Sequence, residues 1–237
     1  EERQRALQLI CYQNFESEAE KARIKKIQSD LKNFRFYETE NGEKYPSVTS
    51  FLNFDKDFYL TDEDLRQYCA QGNLIDWEFK NYVETSTHKD SKDEPSLAAD
   101  RWLVKTGKKQ LALSGWDIKG FLEKYPIKKM KTFDHPVFNH QHRYAGTPDV
   151  EGEYEGLPTL VSITRSDDDV SKFTQDAMYA KCEGLEHIQQ IMIAKFQSPD
   201  DGGPKQGFSK PVITKEIERY FNLGLYKRGE FRKIYGI

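Results

Sequence analysis

The hydrophobic periods along this chain predict a mixed α/β fold, a central sheet of about four or five strands flanked by helices. Three observations lead there. Helical periods dominate the first half, and from Lys128 short runs alternating at period two take over. A helix, a further strand and a last helix follow, an order that suits a mixed sheet with one crossover. Of the 237 residues 37% are hydrophobic and 32% charged, yet 13 Tyr and 15 Phe supply enough packing surface for an ordered core. The length fits one large domain with a helical attachment, divided as an N-terminal helix over 1–33 and a domain over 34–237.

Residues 1–32 read as one long polar helix. Leu7, Ile10, Ala19, Ala22, Ile24, Ile27 and Leu31 form an imperfect apolar stripe, which must lie on the domain or on a partner chain. Strands are expected at 34–38 and 44–49, separated by the turn pair Asn41-Gly42. Thr61 with Asp64 three residues on opens a helix near 62; Gly72 is expected to break it, with a second helix from Leu74 to Val83. Residues 85–95 read as a surface loop, followed by helices at 96–106 and 115–124, the second capped by Ser114. Strands at 128–133, 143–154 and 158–164 come next, with Gly156 in the last turn, then a helix at 169–183 and a strand at 187–196. A loop at 198–207 and a helix at 212–233 close the chain.

Formal net charge is −3, so the molecule as a whole is not a basic nucleic-acid binder, although a groove can be basic under an acidic exterior. Two basic runs, 124–131 and 226–233, read first as solvated faces. Cys11, Cys69 and Cys182 are far apart and odd in number, which supports neither a disulfide framework nor a zinc knuckle and suits a reducing setting. No apolar run is long enough to span a bilayer, and no signal-peptide pattern opens the chain as given. These features point to an intracellular protein, in the cytoplasm or, if the N-terminus was processed, in an organellar matrix.

Three short segments carry chemistry. Gly146-Thr147-Pro148-Asp149 lies in the expected strand 143–154, and twelve residues separate Asp149 from Ser162 in the hydrophobic run Leu160-Val161-Ser162-Ile163-Thr164. That separation fits a hairpin bringing both positions to one end of a sheet. Gln175 and Tyr179 stand four apart in Gln175-Asp176-Ala177-Met178-Tyr179, and Tyr45-Pro46-Ser47-Val48-Thr49 lies upstream. Together these segments resemble the PD-(D/E)xK nucleases of the RecB-like branch, including phage-type and mitochondrial genome-maintenance exonucleases, over roughly residues 36–196. The resemblance implies a restriction-endonuclease-like core with N-terminal helical additions. It also implies a catalytic set at Asp149, Ser162, Thr164, Gln175 and Tyr179, and metal ligands at Asp149 and Asp76. The cofactor would be Mg²⁺ or Mn²⁺ if the protein is active, and the partner would be single-stranded DNA.

The departures from that pattern matter as much. Where the family has D/E-x-K, this chain has Ser162-Ile163-Thr164; where it has HxxxE, this chain has Asp76 and Lys80. Serine is a weak ligand for a hard cation, and threonine supplies no positive charge. Losing one preorganised charge-stabilising group costs about 3 to 4 kcal/mol in the transition state. The expectation is a DNA-binding protein with impaired or lost phosphodiester hydrolysis, contacting nucleic acid through Lys80, Arg143, Arg165, Lys172, Tyr45 and Trp77. One alternative is an active exonuclease whose missing carboxylate comes from Glu151 or Glu153 and whose cation comes from Arg165 or Lys172. The other is a non-catalytic protein scaffold using the 1–32 helix. Blander readings stand beside these. Asp167-Asp168-Asp169 precedes a helix and suits a cap; Gln175 and Tyr179 share a face of any amphipathic helix; His140 and His142 lack further ligands for zinc.

Overall fold

The structure, a computed structural model, describes residues 18–56, 61–85, 103, 116–165, 168–197, 199 and 202–237. The first half of the expected N-terminal helix, and nearly all of the loop and helix expected across 86–106, lie outside them.

Nine strands and six helices make up the described chain. In order they are α1 (Glu18–Asn33), β1 (Phe36–Glu38), β2 (Lys44–Pro46), α2 (Val48–Leu52), α3 (Asp62–Thr85), α4 (Ile118–Lys124), β3 (Lys128–Thr132), β4 (Val137–Asn139), β5 (Tyr144–Gly146), β6 (Val150–Tyr154), β7 (Leu157–Thr164), α5 (Asp169–Tyr179), β8 (Gln190–Lys195), β9 (Val212–Thr214) and α6 (Ile217–Tyr235). The main sheet has the order β3-β6-β7-β8-β9. All its pairs are antiparallel except β7 with β8, which run parallel across the α5 crossover. The expected mixed α/β class is therefore what the chain forms, with the β6–β7 hairpin turning at Glu155 and Gly156 and β7 in the middle of the sheet.

Strand β7 sorts the core into two layers by alternation. Leu160, with Ile191 and Ile193 of β8, meets Phe173, Ala177 and Met178 of α5. Val161 and Ile163, with Met192 and Ala194, meet Leu74, Ile75 and Phe79 of α3 and Phe121 of α4. Helix α1 lays Ile27 and Leu31 into the first layer, and Tyr235 of α6 donates to Asp30 Oδ2 at 3.1 Å. Of the two supports open to this helix in the sequence, these residues take the domain.

Several expected boundaries move, each for a local reason. Gly72 does not break the helix: α3 runs 24 residues through it, because Ala70, Leu74, Ile75 and Phe79 form a buried stripe on either side. That burial outweighs the ~1 kcal/mol a helical glycine costs. The strand expected at 44–49 stops at Pro46, since the Ser47 side chain accepts from Ser50 N–H at 3.1 Å and caps the short α2. The run 143–154 divides. Tyr144–Gly146 pairs with Val137–Asn139 in a separate two-stranded sheet, and the chain rejoins the main sheet only at Val150. Pro148 has no N–H to give a ladder. The carboxylate of Asp149 instead accepts from Ile163 N–H at 2.8 Å. The helix expected from 212 begins at Ile217, because the β-branched run Val212-Ile213-Thr214 joins the sheet edge as β9. Asp117, not Ser114, caps α4, accepting from Gly120 N–H at 2.8 Å.

Two helix glycines should respond oppositely to alanine. A Cβ on Gly72 would touch nothing within 4 Å, so Gly72→Ala should stabilise by about 0.5 to 1 kcal/mol. A Cβ on Gly224 of α6 would fall 2.3 Å from Met178 Sδ, so Gly224→Ala should destabilise by roughly 1 to 3 kcal/mol. Urea denaturation of both variants reads the two signs directly.

Candidate functional site

The polar groups of interest gather at the C-terminal end of β7, where the sheet meets α3 on one side and α5 on the other. Asp149 lies in the turn before β6 and is half-buried, held by the Ile163 N–H. Ser162, 2% exposed, projects on the same side of β7 as Leu160, toward α5. Its hydroxyl lies 3.5 Å from Asp149 Oδ2, and the Asp176 carboxyl stands close enough to interact with it. Asp176 projects from α5 and is 3% exposed, and its Oδ2 has no hydrogen-bond partner. Thr164, two residues on from Ser162, is buried on the same strand face.

Helix α3 contributes Asp76 and Lys80, four apart, with Nζ 3.2 Å from Oδ2. Lys172 stands one turn before Asp176 on α5 and acts electrostatically on both Asp76 and Asp176. Lys195 of β8, beside Thr164 in the parallel register, pairs with Asp169 at the start of α5 at 2.7 Å. Four carboxyl groups and three ammonium groups therefore share this end of the sheet. Burial, reinforced by the Asp149 charge, pushes the Asp176 carboxyl up to about 8. Asp76 rises to about 6 for the same two reasons, against the pull of Lys80. At neutral pH Asp176 holds a proton.

Gln175 and Tyr179 come together as the sequence pattern implied: Gln175 Nε2 donates to the Tyr179 hydroxyl at 3.1 Å. Burial, with the nearby Asp176 and Asp149, raises the Tyr179 phenol above its ordinary range, so it stays a neutral hydroxyl. Gly146 is required here, because a Cβ would lie 2.3 Å from the Tyr179 ring. Tyr37 adds its hydroxyl 3.4 Å from Thr147 Oγ1 and is partly exposed, an aromatic contact that the sequence reading did not single out.

Other expected site residues lie elsewhere or are closed. Tyr45 is 2% exposed, with its hydroxyl on Glu43 and His140 and its ring beneath Arg143, so no base can stack on it. Tyr144 is fully buried and donates to Met178 C=O. Trp77 is half-buried against the α3 layer. Arg143 sits at the far end of β5 from Asp149, paired with Glu43 at 3.1 Å. Arg165 lies on the α3 side of β7 and hydrogen-bonds Gln71, so it does not take the place of a lysine at Thr164. Glu151 pairs with His187 at 2.8 Å and Glu153 with Lys129 at 2.8 Å, so neither supplies the acid that the resemblance would put at Ser162. The acid beside Ser162 is Asp176. Asp168 caps α5 through Ser171 N–H, as the bland reading of that acidic run had it. His140 reaches Tyr45, while the His142 ring packs against Phe221.

The raised carboxyl groups make stability depend on pH with a definite sign. Between the ordinary 3.8 and about 8 the folded chain keeps the Asp176 proton that the unfolded chain has lost. Stability therefore falls as pH rises through that window. In EDTA, Asp176→Asn should be more stable than the parent near pH 8 by on the order of 3 kcal/mol, and about equal near pH 4. Thermal melts across that range check both the sign and the convergence.

No family model matches the chain, and no curated protein matches it; the site is read from its own groups.

Proposed function

We propose that this chain is a nucleic-acid-binding protein on a nuclease-like fold, which holds single-stranded DNA without a divalent ion and hydrolyses it poorly. The observation that carries the reading is the Lys80–Asp76 pair at the sheet end. An ammonium group occupies the place where the resemblance would put a carboxylate, and with Lys172 it neutralises the acids there. A site balanced in this way does not repel a phosphate, whereas a site of bare carboxylates does until a cation fills it.

A cation remains chemically reasonable at this place. Mg²⁺ and Mn²⁺ favour carboxylate oxygens, and two such oxygens here, Asp76 Oδ1 and Asp176 Oδ2, are buried without a hydrogen-bond partner. Among the described residues, however, no three or more His, Cys, Asp or Glu side chains are placed to hold one ion together. When bound, such an ion would supply Lewis-acid stabilisation and a nucleophilic hydroxide. This chain's own residues supply less. Ser162 offers a neutral hydroxyl, Thr164 offers no charge, and Gln175 with Tyr179 offers a neutral hydrogen-bonding pair beside Asp149. One observation favours a second reading, an active metal-dependent exonuclease: Asp176 brings an acid from α5 to the place beside Ser162, and Lys172 stands one turn from it.

No described helix is long and apolar enough to cross a membrane. The scaffold alternative has less support, since the N-terminal helix spends Ile27 and Leu31 on its own domain.

Fluorescence anisotropy of a labelled single-stranded oligonucleotide in EDTA tests the proposal. Binding should appear at low salt and weaken as salt rises, and Lys80→Glu and Lys172→Glu should each weaken it by about fivefold or more. Absence of binding in EDTA at low salt would refute the reading and leave the scaffold role. Rapid Mg²⁺-dependent cleavage that is lost in Asp176→Asn would establish the exonuclease instead.

A further inference from the structure

The acid missing from β7 is absent from the strand but not from the space the strand faces. One hydroxyl, that of Ser162, lies 3.5 Å from Asp149 Oδ2 and within interaction range of the Asp176 carboxyl, so two carboxyl groups flank it. We propose that Asp149 and Asp176 form a divalent-cation site in which Asp176, reaching across from α5, takes the place of the acid that Ser162 does not supply.

The argument rests first on burial. Asp176 is 3% exposed, and its Oδ2 is buried with no donor to satisfy it. A buried carboxylate oxygen without a partner costs the fold several kcal/mol unless a proton or a cation takes it. The residue also departs from its surroundings. Its neighbours Ala177 and Met178 are buried and apolar, and packing alone would fill such a position with another apolar side chain. Asp149 is only half-buried, which leaves an ion a way in from solvent.

Coordination chemistry accepts so small a set of ligands. Mg²⁺ and Mn²⁺ keep several waters and commonly use one or two carboxylates, with substrate phosphates completing the shell. Asp149, Asp176 and the Ser162 hydroxyl meet that requirement without Asp76, which is held by Lys80. Lys172, one turn earlier on α5, lies close enough to act on Asp176, and Lys195 of β8 stands beside Thr164 in the parallel register. The acid would thus have moved from a strand to the facing helix, on the face it shares with Lys172.

This inference rests on the reading of the β7 end as the working site, but its test needs no nucleic acid. Mn²⁺ binding by the full chain is followed by electron paramagnetic resonance near neutral pH. The parent should bind one ion with a Kd of about 1 mM, as expected for a site of low charge. Asp176→Asn should weaken that binding about tenfold or more. Returning the acid to the strand in the double variant Ser162→Asp, Asp176→Asn should restore affinity to within about threefold of the parent, a rescue that a merely structural role for Asp176 would not give. Parent protein that binds no Mn²⁺, Asp176→Asn that binds like the parent, or a folded double variant that fails to regain the ion would each overturn the proposal. Binding of DNA in EDTA is a separate measurement, so the cation site can fail while the nucleic-acid reading stands, and the reverse.

Discussion

Everything in this fold depends on β7 being buried on both faces. A strand in the middle of a mixed sheet must send alternate side chains into two different layers, and β7 does so with Leu160 on one face and Val161 and Ile163 on the other. Each such side chain contributes roughly 1.5 to 3 kcal/mol when fully buried, so a slip of one residue would empty both layers together. The register is therefore held firmly, and with it the positions of Ser162 and Thr164. Parallel pairing with β8 requires a crossover helix, and that helix, α5, is the element that carries Lys172, Gln175, Asp176 and Tyr179. The site is a consequence of the topology.

Against that apolar background the end of β7 is electrostatically costly. A protonated Asp176, a half-neutralised Asp76 and a solvent-facing Asp149 are arranged so that no two full negative charges are buried side by side. The arrangement resembles the trade commonly made at working sites, where unfavourable groups persist because the surrounding core is stable enough to hold them. It also explains why Lys80 is drawn inward: its side chain is only 19% exposed, a depth that the Asp76 carboxylate beside it permits.

Charge elsewhere has a plainer account. In the basic run 124–131, Lys129 pairs with Glu153, while Lys124 and Lys131 lie over aromatic rings. In the run 226–233, Lys227 pairs with Asp55, Lys233 with Glu230, and the Arg228 guanidinium is buried against backbone carbonyls. These residues are solvated or structural, so cationic side chains reach the candidate site singly, from α3, α5 and β8.

By itself the sequence determined the class of fold, the β6–β7 hairpin, and the meeting of Gln175 with Tyr179. All three follow from periods of two and 3.6 residues and from turn residues close in the chain, which local stereochemistry enforces. It also determined which positions of the strand lack an acid and a lysine. Tertiary structure decided the rest. Asp176 reads in the sequence as one polar residue in an amphipathic helix; only the crossover of α5 onto β7 sets it against Ser162. Tyr45 reads as an aromatic surface for bases, and packing closed it, since an aromatic ring gains more from a core than from water. Gly72 reads as a break, and a buried stripe carried the helix through it. The common reason is that periodicity tells which face a residue takes, while the neighbour waiting on that face comes from a distant part of the chain, chosen by the burial of the whole sheet.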